Sequence, residues 1–377
     1  MATIRLENIT KKFKDITALK NVSFAVEDGE FFCLLGPPGA GKTTTLRTIL
    51  GLERQDEGIV YIDGENVNKV HPSRRDIAMI FQNLALYPDK NVFDNIASPL
   101  RARELEEEDI KTRVVDVAKK LKIDWLLEKT PGQLSGGERQ RVAIGRAIVR
   151  QPRAYLMDEP LSNLDAKLRL KMRVSMKELQ SELKQTFVYV THDQVEALSM
   201  SDRIGVLDEG VLQQIGNPED IYRNPGNMFV AKILGNPSMN FIKCSVGKEA
   251  GAINVKHSSF TLTLEEKALK KAVQDSRNVG SEVTLGIRPE NITIFVEKQG
   301  DGTVPAEIYV TEPLGNKTIV DVKIGEEIIK VITQAAFPGK PGQNIWLRMK
   351  ESKFHLFDTE SGNYLFHASE DSPLRVN

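Results

Sequence analysis

Hydrophobic and polar positions follow two regimes along the 377 residues. Over roughly the first 235, short apolar runs alternate with longer amphipathic stretches. Phe31–Leu35, Ala154–Met157 and Phe187–Val190 are each followed within a few residues by a turn signal and a helical pattern. That alternation predicts a largely parallel sheet with covering helices. Residues 1–30 differ, because Ile4–Ile9 and Val22–Val26 alternate with a period of two, which predicts antiparallel strands beside the main sheet. From about 84 to 150 the pattern is helical, and Arg101–Lys122 reads as a charge-dense, solvated helix within an insertion. Asn224-Pro225-Gly226 and Gly235-Asn236-Pro237 mark a boundary. Beyond it, Val283–Ile287, Glu307–Val310, Thr318–Val322 and Glu327–Val331 are short strand-like runs punctuated by turn residues. They predict an all-β domain over 236–377, after an α/β domain over 1–235.

Composition narrows the classes. At 40% hydrophobic and 27% charged residues the chain is ordinary globular material. Lys and Arg number 51 against 52 acidic residues, a net charge of −1, so no bulk positive field is available to hold nucleic acid. Cys33 and Cys244 are too few for a disulfide framework and are expected to be buried thiols. Met1-Ala2-Thr3-Ile4 shows no basic-then-apolar secretory pattern, and no apolar run approaches the ~20 residues needed to span a bilayer. If the protein serves a membrane, other chains are expected to supply the spans.

Gly36-Pro37-Pro38-Gly39-Ala40-Gly41-Lys42-Thr43 matches G-x-x-x-x-G-K-[ST] between the strand-like run Phe31–Leu35 and the helical run Thr44–Leu50. Small residues let successive backbone N–H groups turn toward a phosphate, and the positive end of the following helix adds its field. In such a loop Lys42 reaches the β- and γ-phosphates of ATP, and the Thr43 hydroxyl takes a place on Mg²⁺. Pro38 offers no N–H, so the cradle rests on the amides from Gly39 to Thr44. A second apolar run ends in Asp158-Glu159, where Asp158 suits the metal and Glu159 suits polarising an attacking water.

Between these lies Leu134-Ser135-Gly136-Gly137-Glu138, opening a helical run. Here the chain resembles the ATP-binding cassette (ABC) ATPases, whose signature is LSGGQ or a close variant. The resemblance implies that Ser135, Gly136, Gly137 and Glu138 face the γ-phosphate held by a second cassette. It also implies roles for Gln82 (the Q-loop, near Mg²⁺), Asp165 (the D-loop at the dimer seam) and His192 (holding the γ-phosphate beside Glu159). Phe13 lies where the family stacks a ring on adenine. Glu138 replaces the usual Gln and brings a negative charge toward the nucleotide. With one P-loop and one signature, a complete site needs two copies of the chain or a related cassette.

Gly235–Phe241 and Gly286–Asn291 resemble motifs of carbohydrate-importer cassettes, in which a β-rich regulatory domain follows the ATPase. The implied function is a peripheral ATPase on the cytoplasmic face of the membrane that drives uptake of a sugar or polyol. Two transmembrane permease subunits and a solute-binding protein would complete the importer. Polyamine, ferric-iron and oxyanion importers share the layout. A soluble ABC ATPase of translation or repair is disfavoured by the single P-loop and the β-rich tail. A plain P-loop kinase would lack Leu134–Glu138. Leu84–Asn95 matches the region that receives a permease helix, although Pro88–Val92 departs from the usual pattern there.

Overall fold

The computed structural model describes residues 2–249, 252–264, 282–300 and 302–367. The chain divides into two compact units, Met1–Ile221 and Tyr222–Asn377.

The first unit is built on a six-stranded sheet ordered Val211–Gly216, Arg203–Asp208, Phe31–Leu35, Thr186–Thr191, Ala154–Asp158, Ile77–Ile80. All neighbours are parallel except the first pair. Phe31–Leu35, Ala154–Asp158 and Thr186–Thr191 are buried at every position. That is why they read as continuous apolar runs: both faces of a parallel sheet are covered. Ile4–Phe13, Ile16–Val26, Glu57–Ile62 and Glu65–Asn66 form a separate antiparallel sheet. Its inward residues Val22 and Val60 share one core with Phe32, Leu34 and Val188 of the main sheet. The helix Lys42–Leu50 contributes Leu46 and Ile49 to that core. Each such buried side chain stabilises the fold by about 1.5–3 kcal/mol, so the helix start that carries the phosphate loop is firmly anchored.

The inserted region holds the helices Val92–Arg101, Glu107–Lys120 and Gly136–Ile148. The charge-dense stretch expected as one helix from Arg101 to Lys122 is instead broken at 102–106, where Glu104 takes φ +59°. Glu107, Glu108 and Asp109 fill the first turn of the new helix and Lys119 and Lys120 its last, and Lys111, Arg113 and Asp116 between them are exposed, so the expected solvated face is present from Glu107 onward.

Among the described residues the second unit is β-rich, built on two sheets. One six-stranded sheet runs Phe260–Leu264, Ala252–His257, Asn240–Glu249, Glu282–Ile287, His355–Asp358, Tyr364–His367. A five-stranded sheet runs Ile292–Phe295, Asn344–Met349, Val304–Pro313, Lys317–Ile324, Glu327–Gln334. Ile242, Val255 and Leu285 from the first share a core with Ile308, Val320, Val331 and Leu347 from the second. The unit begins ahead of the Gly235 turn because the short helix Met228–Ile233 packs Ala231 against Met239 and Phe357. Cys33 and Cys244 are both free and buried. Among the described residues, no helix is long and apolar enough to cross a membrane.

Candidate functional site

The strand Phe31–Leu35 delivers the chain into the glycine-rich turn, and Gly36 must be glycine there. A Cβ at Gly36 would stand 2.2 Å from the Leu207 carbonyl oxygen, and one at Gly41, with φ +102°, would stand 2.5 Å from that of Ala18. Gly210 N–H donates to the Ala40 carbonyl at 3.0 Å and Ala40 N–H to Pro37 at 3.2 Å, which sets the loop's curvature. Thr45 N–H donates to Gly41 at 2.9 Å and begins the helix. The amides from Gly39 to Thr44 therefore lie at the N-terminal end of a helix axis, where partial positive charge collects.

Lys42 is buried, and its ammonium donates to the carbonyls of Gly36 at 2.9 Å and Pro37 at 3.0 Å. It lies 3.4 Å from Glu159 Oε1. Thr43 Oγ1 donates to Asp158 Oδ1 at 2.9 Å. Burial pushes the Asp158 carboxyl above the ordinary aspartate range, against the lowering effect of the Thr43 bond. His192 Nδ1 lies 2.8 Å from Glu159 Oε2, and since an ionised carboxylate only accepts, Nδ1 carries the proton in that contact. Glu159 is thus held between an ammonium and an imidazole.

Its backbone is held too. Glu159 takes φ +44°, a left-handed conformation that costs a non-glycine residue of order 1–3 kcal/mol. Glu159 N–H donates to Val190 at 3.0 Å, and its carbonyl accepts from Ser162 N–H at 3.2 Å and Ser162 Oγ at 2.9 Å. A carboxylate held in place on a strained backbone, beside a phosphate-type loop, suits orienting and deprotonating a water.

Phe13 ends its strand 41% exposed, with the Lys11 ammonium 5.0 Å from the ring centre, so the ring is surface rather than core. Thr44 lies in the helix, where its carbonyl accepts from Thr48 Oγ1 at 2.8 Å. Gln82 is exposed, and its carbonyl accepts from Asn163 Nδ2 at 3.3 Å. Asp165 caps the helix Ala166–Leu183 through Leu168 N–H at 2.9 Å. Ser135 caps Gly136–Ile148, reciprocally with Glu138. This turn lies apart from Lys42 along the chain, and no contact joins Ser135–Glu138 to the Lys42–Glu159–His192 group among the described residues.

Three side chains that shape the site lie outside the expected set. Arg146, on the signature helix, donates to the carbonyls of Leu84 at 2.7 Å and Ala85 at 2.6 Å, two consecutive residues with positive φ. Asn95 is fully buried, accepts from Tyr87 N–H at 2.8 Å and donates to Lys90 at 3.0 Å. Together they fix the segment that follows Gln82. Arg169 donates to the Leu164 carbonyl at 3.1 Å and reaches Asp193 at 3.5 Å, joining the Asp165 turn to the His192 turn.

Comparison with known proteins places the chain by family. Residues 19–162 match the model of the ABC transporter family, 235–292 that of the MalK OB fold domain, and 285–357 that of the TOBE domain. The chain is 44% identical over 376 residues to a trehalose/maltose import ATP-binding protein of Thermococcus litoralis, covering 97% of this chain and all of that one. It is 42% identical to an sn-glycerol-3-phosphate import ATP-binding protein of Pectobacterium atrosepticum (96% and 99% covered). An oligosaccharide import ATP-binding protein of Bacillus subtilis is 43% identical over the same shares. A solved dimeric bacterial ABC transporter cassette superposes with a TM-score of 0.53 at 34% identity, covering 57% of this chain and 98% of that one. Identity above 40% to these import ATP-binding proteins over nearly the whole chain, with the family match over residues 19–162, makes this chain a member of the ABC transporter ATP-binding protein family.

Proposed function

We propose that the protein hydrolyses ATP on the cytoplasmic face of a membrane to drive import of a sugar or related polyol. Its full-length likeness to sugar and glycerol-phosphate import ATP-binding proteins carries this reading. In it, Phe13 stacks on adenine, and the Gly36 turn with Ala40, Gly41 and Thr44 wraps the phosphates. Lys42 exchanges its carbonyl partners for β- and γ-phosphate oxygens. The hydroxyl of Thr43 and the carboxylate of Asp158 converge as two hard oxygen donors, which suits Mg²⁺, an ion usually held by one or two protein ligands plus phosphates and water. Gln82 would add a third oxygen donor. When bound, the ion neutralises charge on the phosphates.

Glu159 takes a proton from the attacking water, while His192 keeps the carboxylate oriented through Nδ1. His192 also presents Nε2 to the γ-phosphate. The Ser135–Glu138 turn of a second copy meets that phosphate from the other side, with Asp165 at the seam, so that two chains sandwich each nucleotide. The dimeric state of the solved cassette supports this arrangement. Residues 236–377 regulate and do not catalyse, since every phosphate-directed motif precedes them. Two permease subunits dock on the segment Leu84–Asn95, and an extracytoplasmic solute-binding protein delivers the cargo. Reconstituted with its permease, the ATPase rises with a sugar-loaded binding protein. A response only to a polyamine, ferric-iron or oxyanion system overturns the substrate class.

A further inference from the structure

The signature turn is already engaged by an anion of its own. Ser135 N–H donates to Glu138 Oε2 at 2.7 Å, and Ser135 Oγ donates to the same oxygen at 2.7 Å. A hydroxyl has one proton, so that bond uses the only one Ser135 can offer. Glu138 N–H in turn points at Ser135 Oγ at 3.4 Å. Bonds from Ser135, then the charges of Lys129 and Arg141, hold the Glu138 carboxyl below the ordinary glutamate range, so it is ionised at neutral pH. One carboxylate oxygen thus saturates two donors at the N-terminus of Gly136–Ile148.

Resting on the reading that this turn receives the γ-phosphate bound by a second copy, we propose that Glu138 is a resident competitor for that phosphate. Its carboxylate fills the Ser135 donors when cassettes are apart and must swing away each time they close. The first-turn amides of Gly136 and Gly137 are not used by the helix itself and stay open to the incoming anion. Ser135 becomes available only after the carboxylate leaves. Two anions cannot share one hydroxyl proton, and they repel at this range. Closure is therefore weakened by the resident contact, and separation of the cassettes after hydrolysis is assisted by its return. A glutamine at this position accepts from Ser135 as a neutral group, with a bond roughly half as strong, and adds no repulsion.

This gives two effects of opposite sign. Glu138→Gln weakens the cap, so the isolated chain melts lower; it removes the competitor, so ATP-driven association tightens. A residue that only caps the helix gives the first effect without the second.

The test uses full-length protein carrying Glu159→Gln, with ATP and Mg²⁺, and measures the dimer dissociation constant by sedimentation velocity. Adding Glu138→Gln lowers that constant by about tenfold or more. Glu138→Ala, which lacks any acceptor, lowers it as well. The gap closes as salt rises toward ~1 M, where the Debye length shrinks to about 3 Å. Unchanged or weaker association in Glu138→Gln and Glu138→Ala overturns the proposal while leaving the sandwich intact. If the Glu159→Gln parent itself fails to associate with ATP, the sandwich reading is wrong and the proposal falls with it.

Discussion

Replacing Lys42 with methionine keeps the apolar stem and removes the ammonium, which separates nucleotide binding from fold stability. Without nucleotide, the ammonium donates to Gly36 at 2.9 Å and Pro37 at 3.0 Å and faces Glu159 at 3.4 Å. Each charged hydrogen bond contributes about 1.5–3 kcal/mol net. Against this stands the cost of burying an ammonium, which is several kcal/mol per ion. The two sums are of similar size and opposite sign, so the nucleotide-free protein should shift by no more than ~1 kcal/mol, or roughly 2–4 °C for a unit of this size. Binding ATP exchanges the two carbonyls for phosphate oxygens, and the surplus that charged acceptors add, on the order of 1.5–3 kcal/mol or roughly ten- to a hundredfold in affinity, is lost with the ammonium. Calorimetric titration with ATP and thermal melting without it read the two quantities separately. A fall of about 10 °C or more in the melting midpoint, with affinity unchanged, would refute the reasoning and make Lys42 structural.

Other expectations follow from neighbouring side chains. Asp158 has its folded pKa raised above the ordinary 3.8 by burial. The native state therefore binds its proton more tightly than the unfolded chain, and stability falls as pH rises from 3.8 through the folded value. Asp158→Asn keeps the Thr43 contact and should raise the melting midpoint at pH 7, with the gain vanishing near the acid end of that window, while turnover is lost; an unchanged midpoint at pH 7 counts against it. Phe13→Ala should weaken ATP binding by about 1–3 kcal/mol, the range for one aromatic–base stack, and leave the melting midpoint alone because the ring is exposed; Phe13→Tyr should restore binding in the same fluorescence titration.

What the sequence made legible was local. The phosphate loop, its strand and its helix are contiguous, so glycine spacing and apolar runs were enough to find Gly36–Thr43 and to set it beside Asp158-Glu159. The buried parallel strands were equally readable, since two-sided burial leaves an unbroken apolar record. Contacts between distant positions were not. Arg146 sits inside an apolar helical run, and nothing near it indicates that its guanidinium clamps carbonyls 61 and 62 residues away. Asn95 falls in the matched Leu84–Asn95 region, but its buried hydrogen bonds to Tyr87 and Lys90 do not follow from that match, and Arg169 carries no motif. Charge density does not reveal that the solvated helix starts at Glu107 and not at Arg101; the acidic first turn at Glu107–Asp109 is the available signal. Ser135 reads as a helix N-cap from sequence, and the S-x-x-E spacing to Glu138 is the signal for the reciprocal half of the capping box.

The central claim is that Glu159 drives hydrolysis inside a closed pair of chains. It is tested most directly by the nucleotide that Glu159→Gln protein retains after incubation with ATP and Mg²⁺ and passage through gel filtration. The account predicts intact ATP trapped in the dimeric fraction, one molecule per chain, where wild-type protein keeps none or only ADP. Recovery of ADP from the variant, or of no nucleotide at all, would contradict it.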